Sequence, residues 1–347
     1  EPRKAFVLDR GQYDSPTEEV FPGLPESLPS LEEGESMTRL GLARWLVNGQ
    51  HPLTSRVLVN RLWAQFFGHG IVMTTEDLGA QSERPSHPEL LDWLAVDFVE
   101  NGWDIKRLIK KMVLSATYSQ THFVDKNRLR KDPENRLLSR GPRQRLQAEM
   151  LRDQALAISG LLVEKQGGPS VWTYQPKGLW EEIEKRGKFV QDHGDKLYRR
   201  TLYTRIRRTV PHPSMVLFDM PSREVCSVLR ARSNTPLQAL SLLNNVTYVE
   251  AAKKFAERMM LHGDSIKDQL RWGFRAATAR YPIDTEMTIL LRGYERRFLH
   301  YEQNPDRAKA LLLAGESKIS NELNVIRAAA MTTVANLILN LDEVINK

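Results

Sequence analysis

The sequence predicts a mainly α-helical chain, a multi-helix orthogonal bundle with a small β insertion near residues 171–209. Apolar residues recur at intervals of three and four through most of the 347 positions, which is the spacing of one helix face. Only the stretch 197–209 places β-branched and aromatic residues at near-alternate positions, as in a strand. A composition of 41% hydrophobic and 27% charged residues is typical of a globular protein and excludes a disordered or collagen-like chain.

The first half of the chain is predicted to pass from an extended lead-in into four helices. Residues 1–36 are rich in proline, glycine and glutamate, which favours an extended surface segment. Apolar spacing predicts a helix from Met37 and a second over 52–67, with Pro52 in its first turn. Residues 86–89 have the S-x-x-E form of a capping box at the start of the third helix, and a fourth is expected over 105–114.

The second half contains the strand candidate between further helices. A long helix is predicted over 143–160, closed by Gly160. The strand candidate reads LYRRTLYTRIRRT, and after it Thr235 and Gln238 form a T-x-x-Q capping box that starts a helix over 236–261. The remaining helices are expected over 264–279, 284–301, 304–314 and 319–345.

These elements predict four parts along the chain. They are an extended lead-in (1–36), an N-terminal helical part (37–165), a loop-rich part with the small sheet (166–232) and a C-terminal helical part (233–347). The single cysteine, Cys226, excludes an internal disulfide, a four-cysteine zinc site and a cysteine-held iron–sulfur cluster. No apolar run approaches the roughly 18 residues of a membrane span, so we predict none.

One charged helix face is the first candidate site. In the predicted helix over 143–160, Arg145, Glu149, Arg152 and Asp153 are spaced by four, seven and eight positions, which places them on or near one face. If the cluster is partly buried, Glu149 or Asp153 could serve as a general base while the arginines hold a polar substrate. The alternative is a structural ion-pair network between packed helices.

A second candidate site lies in the predicted helix over 52–67. Arg56, Asn60 and Trp63 share a face within an apolar run. An arginine, an amide and an indole together suit a sugar or a carboxylate, because they bind oxyanions, hydroxyls and apolar ring faces. The alternative is that Asn60 fixes the carbonyls of a neighbouring loop.

The third candidate site is the arginine-rich strand candidate, in which Arg200 and Tyr203 could hold negative charge and stack on a ring. Between Lys196 and Arg232 there are nine lysines and arginines against two acidic residues. Anionic carbohydrate, an acidic partner domain and a solvated strand face all remain open. Nucleic-acid binding is not expected, because the chain has no helix-turn-helix, zinc-finger or RNP-like motif.

No motif for a metal, a nucleotide or a catalytic serine is present. None of the eight histidines belongs to an H-E-x-x-H pair, and G-x-S-x-G, Walker and G-x-G-x-x-G sequences are absent. The C-x-x-C-H signature of covalent haem attachment is also absent. We therefore predict no metal site and no cofactor in this chain.

Six long segments carry a resemblance to a known family. They are HPLTSRVLVNRLWAQFFGHGIV (51–72), HPELLDWLA (87–95), SATYSQ (115–120), NRLLSRGPRQRLQAEMLRDQALAISG (135–160), GGPSV (167–171) and NTPLQALSLLNN (234–245). In this order they resemble the planctomycete PSD-one domain family, a family of unknown function found at the C-terminal end of large secreted proteins. The segments KAFVLDRGQY (4–13) and LILNLDEVINK (337–347) are similar to its start and finish.

The resemblance implies export and two partner domains. Members carry a c-type cytochrome domain and a second helical domain upstream in the same polypeptide, so haem c is expected on a partner. Because c-type haem is attached outside the cytoplasm, the resemblance implies an extracytoplasmic location. It also implies redox chemistry, with sugars or polysaccharides as electron donors, and it supplies no established catalytic residue.

Two functions stay open at this point. The chain is either a module of an extracytoplasmic, c-type-cytochrome-linked oxidoreductase system that acts on or binds carbohydrate, or a non-catalytic module that docks the partner domains or a surface glycan. A catalytic module should present Glu149 or Asp153 in a concave pocket with an arginine and an aromatic ring. In a docking module, arginines should saturate those carboxylates and an apolar surface should lie elsewhere.

Overall fold

Helices make up most of the regular structure, which confirms the predicted mainly α fold class. The structure is a computed structural model that describes residues 3–180 and 189–346. The chain divides into two compact units, Glu1–Pro142 and Arg143–Lys347. The predicted boundaries at residues 36, 165 and 232 stay predictions.

The first unit begins with a β-hairpin and continues as helices. The hairpin pairs Ala5–Leu8 with Pro16–Val20 in antiparallel register. The helices of this unit are Arg39–Val47, Thr54–Phe67, Pro88–Glu100, Ile105–Val113 and Lys126–Lys131.

The core of the first unit follows from the helical spacing of its apolar residues. Val59, Trp63 and Phe67 recur every four positions, so they form one buried stripe of the Thr54–Phe67 helix. This stripe packs against Leu91, Leu94 and Phe98 of the Pro88–Glu100 helix and against Leu108 and Met112 of the Ile105–Val113 helix. The positions predicted for these helices agree with the structure to within a few residues.

The second unit is built around a central pair of helices. Its helices are Ala148–Ser159, Pro213–Val216, Pro236–Asn244, Val246–Met260, Ile266–Thr278, Asp284–Gln303, Pro305–Leu312, Val325–Leu339 and Asp342–Ile345. Ala252 and Ala256 of the Val246–Met260 helix pack against Ala330 and Ala335 of the Val325–Leu339 helix, and all four are fully buried. Small side chains let the two backbones approach closely, which places this pair at the centre of the unit.

The strand predicted over 197–209 does not form, although the small β component of the fold class exists as the N-terminal hairpin. The stretch instead contains the 3₁₀ turns Gly194–Tyr198 and Thr201–Tyr203, and only isolated bridges join Val163 to Arg199 and Val171 to Thr204. The alternation is broken because Leu197, Tyr198 and Arg199 are all buried in succession. Backbone carbonyls of this stretch accept hydrogen bonds from the Arg152 side chain, and not from a neighbouring strand.

Three predicted helix boundaries were wrong, and each has a local cause. The helix predicted over 143–160 begins only at Ala148, because the segment before it bridges to Asn346. The helix predicted over 236–261 is two helices, since Asn245 adopts an extended conformation and its side chain caps the second helix at the Thr247 amide. The helix predicted over 319–345 is confined to Val325–Leu339 and Asp342–Ile345.

The two predicted capping boxes had different outcomes. Gln238 Oε1 accepts from the Thr235 amide at 3.4 Å, so the predicted box at the Pro236–Asn244 helix is present. The box predicted at Ser86 is absent, because the helix cap is His87 and the Ser86 hydroxyl donates to the Ile71 carbonyl at 3.3 Å.

Candidate functional site

The Ala148–Ser159 helix carries three of the four charged residues predicted to share one face. Glu149, Arg152 and Asp153 lie on it, whereas Arg145 lies in the extended segment that precedes it. The prediction that Arg145 shares this helix face was therefore wrong. The bridge between Arg145 and Asn346, together with a hydrogen bond from the Leu146 amide to the Ile345 carbonyl, holds the segment out of the helix.

Arg152 is buried and holds the 197–201 segment through hydrogen bonds. Its Nη1 donates to the Arg199 carbonyl at 2.8 Å and to Thr201 Oγ1 at 3.1 Å, and its Nη2 donates to the Leu197 carbonyl at 2.5 Å. Burial lowers the pKa of this guanidinium, an effect that the nearby Asp153 carboxylate opposes. The side chain is only 5% exposed, so it organises backbone and presents little surface to a substrate.

Asp153 binds the same segment from the next position of the helix. Its Oδ1 accepts from the amide and the hydroxyl of Thr201, both at 2.7 Å, and its Oδ2 accepts from Arg200 Nε at 3.1 Å. Arg200 was predicted to hold substrate charge, and here it pairs with Asp153. The carboxylate that was the candidate base thus already accepts three hydrogen bonds from its own unit.

Glu149 and Tyr203 also have internal partners. Glu149 Oε2 accepts from Arg230 Nη1 at 2.8 Å, and both side chains are largely buried. The Tyr203 hydroxyl accepts from the Gly167 amide at 2.7 Å, and the Arg199 guanidinium lies 3.8 Å from the centre of its ring. One face of the ring is therefore covered by a cation.

The second predicted cluster lies in the first unit and holds a loop in place. Asn60 is fully buried, and its side-chain amide exchanges two hydrogen bonds of 2.9 Å with the backbone of Val72. Trp63 is buried and stacks on Phe67 with ring centres 3.9 Å apart. Arg56 pairs with Asp92 at 2.7 Å. The structure brings these three residues onto one helix, each with a packing or hydrogen-bonding partner in the unit.

A buried polar network on the Val246–Met260 helix was missed by the sequence analysis. Glu250 and Lys253 are each only 1% exposed. Glu250 Oε1 accepts from Tyr198 Oη at 2.8 Å and from the Ser317 amide at 2.6 Å, while Lys253 Nζ donates to the Leu312, Ala314 and Ser317 carbonyls. The sequence feature that could have indicated this network is the pair of opposite charges, three positions apart, within a helix that also contains buried alanines.

Burial in this network shifts the pKa values of two tyrosines and a lysine. Burial, followed by the hydrogen bond to Glu250, raises the pKa of the Tyr198 phenol above its ordinary value. Burial raises the pKa of Tyr174 as well, with the Glu250 charge as the next cause, and lowers the pKa of Lys253. These groups fix the loop that follows the Pro305–Leu312 helix to the centre of the unit.

His212 is buried, and its ring is neutral at physiological pH. Burial first, and the Arg152 charge second, lower its pKa to about 4. Its ring nitrogens lie 3.1 Å from Thr173 Oγ1 and 3.0 Å from Ser214 Oγ. Both nitrogens are thus occupied by hydroxyl partners.

Two cavities lie in the part of the chain that the structure describes, and the carboxylates predicted as general bases line neither of them. In the second unit, Leu151, Tyr248 and Val344 are among the residues that line a space of about 10 Å³, which is enough for about one water molecule. In the first unit, a depression of about 360 Å³ lies beside Ser86, Lys131 and Arg136. Neither is lined by Glu149 or Asp153.

The Pro236–Asn244 helix exposes an apolar face. Leu237, Leu240 and Leu243 are 59%, 56% and 38% exposed, whereas only Gln238 and Leu242 of this helix are buried. Leucines three positions apart lie near one another on a helix surface. We call Leu237, Leu240 and Leu243 the leucine face.

Arg145 lies at the N-terminal end of this helix. Its Nη2 donates to Asn234 Oδ1 at 2.8 Å, its Nη1 is 3.5 Å from Gln238 Oε1, and its Nε donates to Asn346 Oδ1 at 3.1 Å. Arg145 was predicted to bind substrate beside Glu149, and the structure instead places its guanidinium among neutral amide side chains.

Neither a metal cluster nor a membrane helix is found in the part of the chain that the structure describes. Within residues 3–180 and 189–346, no three His, Cys, Asp or Glu side chains come together as metal ligands would. Over the same ranges, every helix is too short or too polar to cross a bilayer.

Comparison with known proteins identifies a family. The family model described as "PSD1: Protein of unknown function (DUF1553)" matches residues 38–294. This range includes all six segments that carry the resemblance, which confirms it. No curated protein and no solved structure matches the chain.

Proposed function

We propose that this chain, which belongs to the PSD1 family of proteins of unknown function (DUF1553), is a non-catalytic docking module of an extracytoplasmic, c-type-cytochrome-linked oxidoreductase system. Its partner in this proposal is the second helical domain that accompanies such modules, held on the leucine face. The haem and the carbohydrate chemistry then belong to other domains of the system.

The leucine face is the observation that carries this proposal. A helix of nine residues with three leucines that are each more than one-third exposed leaves apolar area in water that a partner would cover. A helix buries such a face by packing against another helix, so that the ridge formed by its leucines fits into a groove between the side chains of the neighbour. For this reason a helical domain fits better than a carbohydrate, which would require exposed hydroxyl-binding groups.

The surroundings of Glu149 and Asp153 support a non-catalytic module. A general base needs a lone pair that faces a substrate proton. Asp153 accepts three hydrogen bonds from Thr201 and Arg200, and Glu149 is paired with Arg230. Asp153 holds the 197–201 segment in place and Glu149 holds the segment around Arg230. Both roles are structural.

The test is a titration of the purified helical partner domain into this chain and into the Leu240→Ser variant. We expect the substitution to weaken binding at least tenfold, because a buried leucine at the centre of an interface contributes that much. Leu299→Ser is the matched control, since Leu299 is also 56% exposed but lies on the Asp284–Gln303 helix. The control should bind like the unmodified chain.

Two outcomes would overturn the proposal. One is equal binding by the Leu240→Ser and Leu299→Ser variants, which would mean that the leucine face is not the docking surface. The other is an oxidoreductase activity of the reconstituted system that Asp153→Asn abolishes while the thermal stability of the chain is unchanged, since that result would make Asp153 a catalytic residue.

A further inference from the structure

The first unit has a surface depression that the docking function does not use. Its volume is about 360 Å³, and six of the residues that line it come from 131–137, which is the end of the Lys126–Lys131 helix and the loop that follows. Small-molecule sites are commonly clefts of about 300–1000 Å³, so the depression has room for a small ligand. We call it the 131–137 depression.

Four of the lining residues are charged, and their charges cancel. Lys131 and Arg136 are cationic, whereas Asp132 and Glu134 are acidic. In the part of the chain that the structure describes, the side chains of Lys131 and Glu134 form no hydrogen bond and no ion pair. The depression therefore offers a free donor and a free acceptor to a ligand, without a preference for either sign of net charge.

Asp132 adds an acceptor that is fixed in position. The residue is 7% exposed, and its two carboxylate oxygens accept from the Arg136 amide at 2.7 Å and from the Leu137 amide at 2.9 Å. Among the described residues, no lysine or arginine forms an ion pair with this carboxylate. Each carboxylate oxygen has two lone pairs, so each can accept one further hydrogen bond. A nearly buried carboxylate without a counter-ion favours a ligand that donates hydrogen bonds to it.

The loop that carries these groups is held by its own side chains. Asn135 exchanges two hydrogen bonds with the backbone of Arg140. The Arg140 guanidinium in turn donates to the Asp132 and Pro133 carbonyls at 2.8 and 2.6 Å. Leu138 has a φ of 56°, which leucine rarely adopts, so the surrounding contacts determine the path of the loop. Because the loop is preformed, it need not be ordered when a ligand binds.

The remaining lining residues are apolar or carry a hydroxyl. Pro133 and Leu137 are exposed, Leu137 by 64%, and Ser86 supplies the hydroxyl. Donors and acceptors beside an apolar surface match a saccharide, because its hydroxyls both donate and accept while the C–H faces of its ring are apolar.

We infer that the 131–137 depression binds a neutral saccharide. Lys131 donates to the oxygens of the sugar, Asp132 and Glu134 accept from its hydroxyls, and Leu137 packs against a C–H face. Charged ligands fit less well, because an anion would lie beside Asp132 and Glu134 and a cation beside Lys131 and Arg136. This binding function is separate from docking on the leucine face.

The test is saturation-transfer NMR of the whole chain with glucose, galactose, mannose, xylose, maltose and cellobiose, and with glucuronate and glucosamine as charged comparisons. We expect at least one of the six neutral saccharides to bind at millimolar concentration. Lys131→Met and Glu134→Met should each raise its Kd about tenfold, because each removes a hydrogen bond made by a charged group. Lys126→Met is the matched control, since Lys126 is an exposed lysine of the same helix that does not line the depression. This variant should bind like the unmodified chain.

Three outcomes would overturn the inference. The first is that none of the six neutral saccharides binds at millimolar concentration. The second is that a saccharide binds, but Lys131→Met and Glu134→Met bind it as the unmodified chain does, which would place the ligand elsewhere. The third is binding of glucuronate or glucosamine alone, which would mean that the site selects a charge. None of these results depends on the titration of the Leu240→Ser variant, so the docking function is tested separately.

Discussion

Arg152 and Asp153 are adjacent residues that hold the same segment by complementary means. The guanidinium binds the carbonyls of Leu197 and Arg199, and the carboxylate binds the amide and hydroxyl of Thr201. Their types and spacing on a helix were predictable from the sequence. Their role was not predictable, because their hydrogen-bond partners lie more than forty positions away and a charged cluster on a helix is as consistent with a structural contact as with a binding site.

His212 gives a prediction on the pH dependence of stability. Burial lowers its pKa from 6.5 to about 4, so the folded protein keeps the ring neutral where the unfolded chain protonates it. The unfolded state then binds more protons between pH 6.5 and pH 4, and stability is lost as the pH falls through this window. At pH 5 the loss from this residue should be about 2 kcal/mol.

The measurement is urea unfolding at pH 7 and pH 5 for the unmodified chain and for His212→Gln. The amide can keep a bond to Thr173 or Ser214 without titrating, so the variant should lose less stability between the two pH values. His262→Gln, a change at an exposed histidine, serves as the control and should follow the unmodified chain. Equal pH dependence in all three proteins would show that His212 does not titrate abnormally.

At the scale of elements, the Val246–Met260 helix fixes a loop through charged side chains. Lys253 binds three carbonyls that end or follow the Pro305–Leu312 helix, which satisfies acceptors that the helix itself leaves open. Glu250 binds the Ser317 amide of the same loop, and Gly315 lies against its carboxylate. The loop therefore depends on a residue without a side chain at position 315.

Replacement of this glycine should destabilise the protein through two separate effects. Gly315 has a φ of +72°, and a Cβ there would lie 2.1 Å from Glu250 Cδ. Gly167 has a φ of +73° but nothing within 4 Å of a Cβ, so Gly167→Ala isolates the backbone effect. We expect Gly167→Ala to cost about 1–2 kcal/mol and Gly315→Ala to cost about 1–3 kcal/mol more.

Urea unfolding of both glycine variants measures this difference. Equal losses would mean that Glu250 moves aside at no cost, and the buried network would then be less rigid than its hydrogen bonds indicate. In a double variant, Gly315→Ala with Glu250→Gln, the glutamine has nearly the same volume as the glutamate and still meets the new Cβ. The second change should therefore recover little of the stability that Gly315→Ala loses.

The elements themselves show which parts of the fold the sequence could predict. Helices such as Pro88–Glu100 and Ile266–Thr278 were predictable because their apolar residues follow the helical period, although the capping box expected at Ser86 does not form. The 197–209 stretch was mispredicted because a long-range contact with Arg152 decides its conformation. The segment before Ala148 was mispredicted for a similar reason, since its partner is the C-terminal segment at Asn346.

At the scale of the whole molecule, each buried apolar cluster formed by residues that the structure describes draws its members from one unit. The cluster around Val59 and Phe98 belongs to residues 1–142. The clusters around Phe255, around Tyr248 and around Leu197 belong to residues 143–347. Each unit thus has the buried core that independent cooperative unfolding requires.

We therefore expect two thermal transitions, each sensitive to a substitution in its own unit. Asn60→Ala leaves the buried amide and carbonyl of Val72 without partners and should lower one transition by about 5–10 °C. Arg152→Met leaves the Leu197 and Arg199 carbonyls without a donor and should lower the other by a similar amount. Differential scanning calorimetry of the full chain measures both, and a single transition that both variants shift together would show that the two units unfold as one. If the leucine face is the docking surface, addition of the helical partner domain should raise only the transition that Arg152→Met lowers, because a ligand stabilises the unit to which it binds.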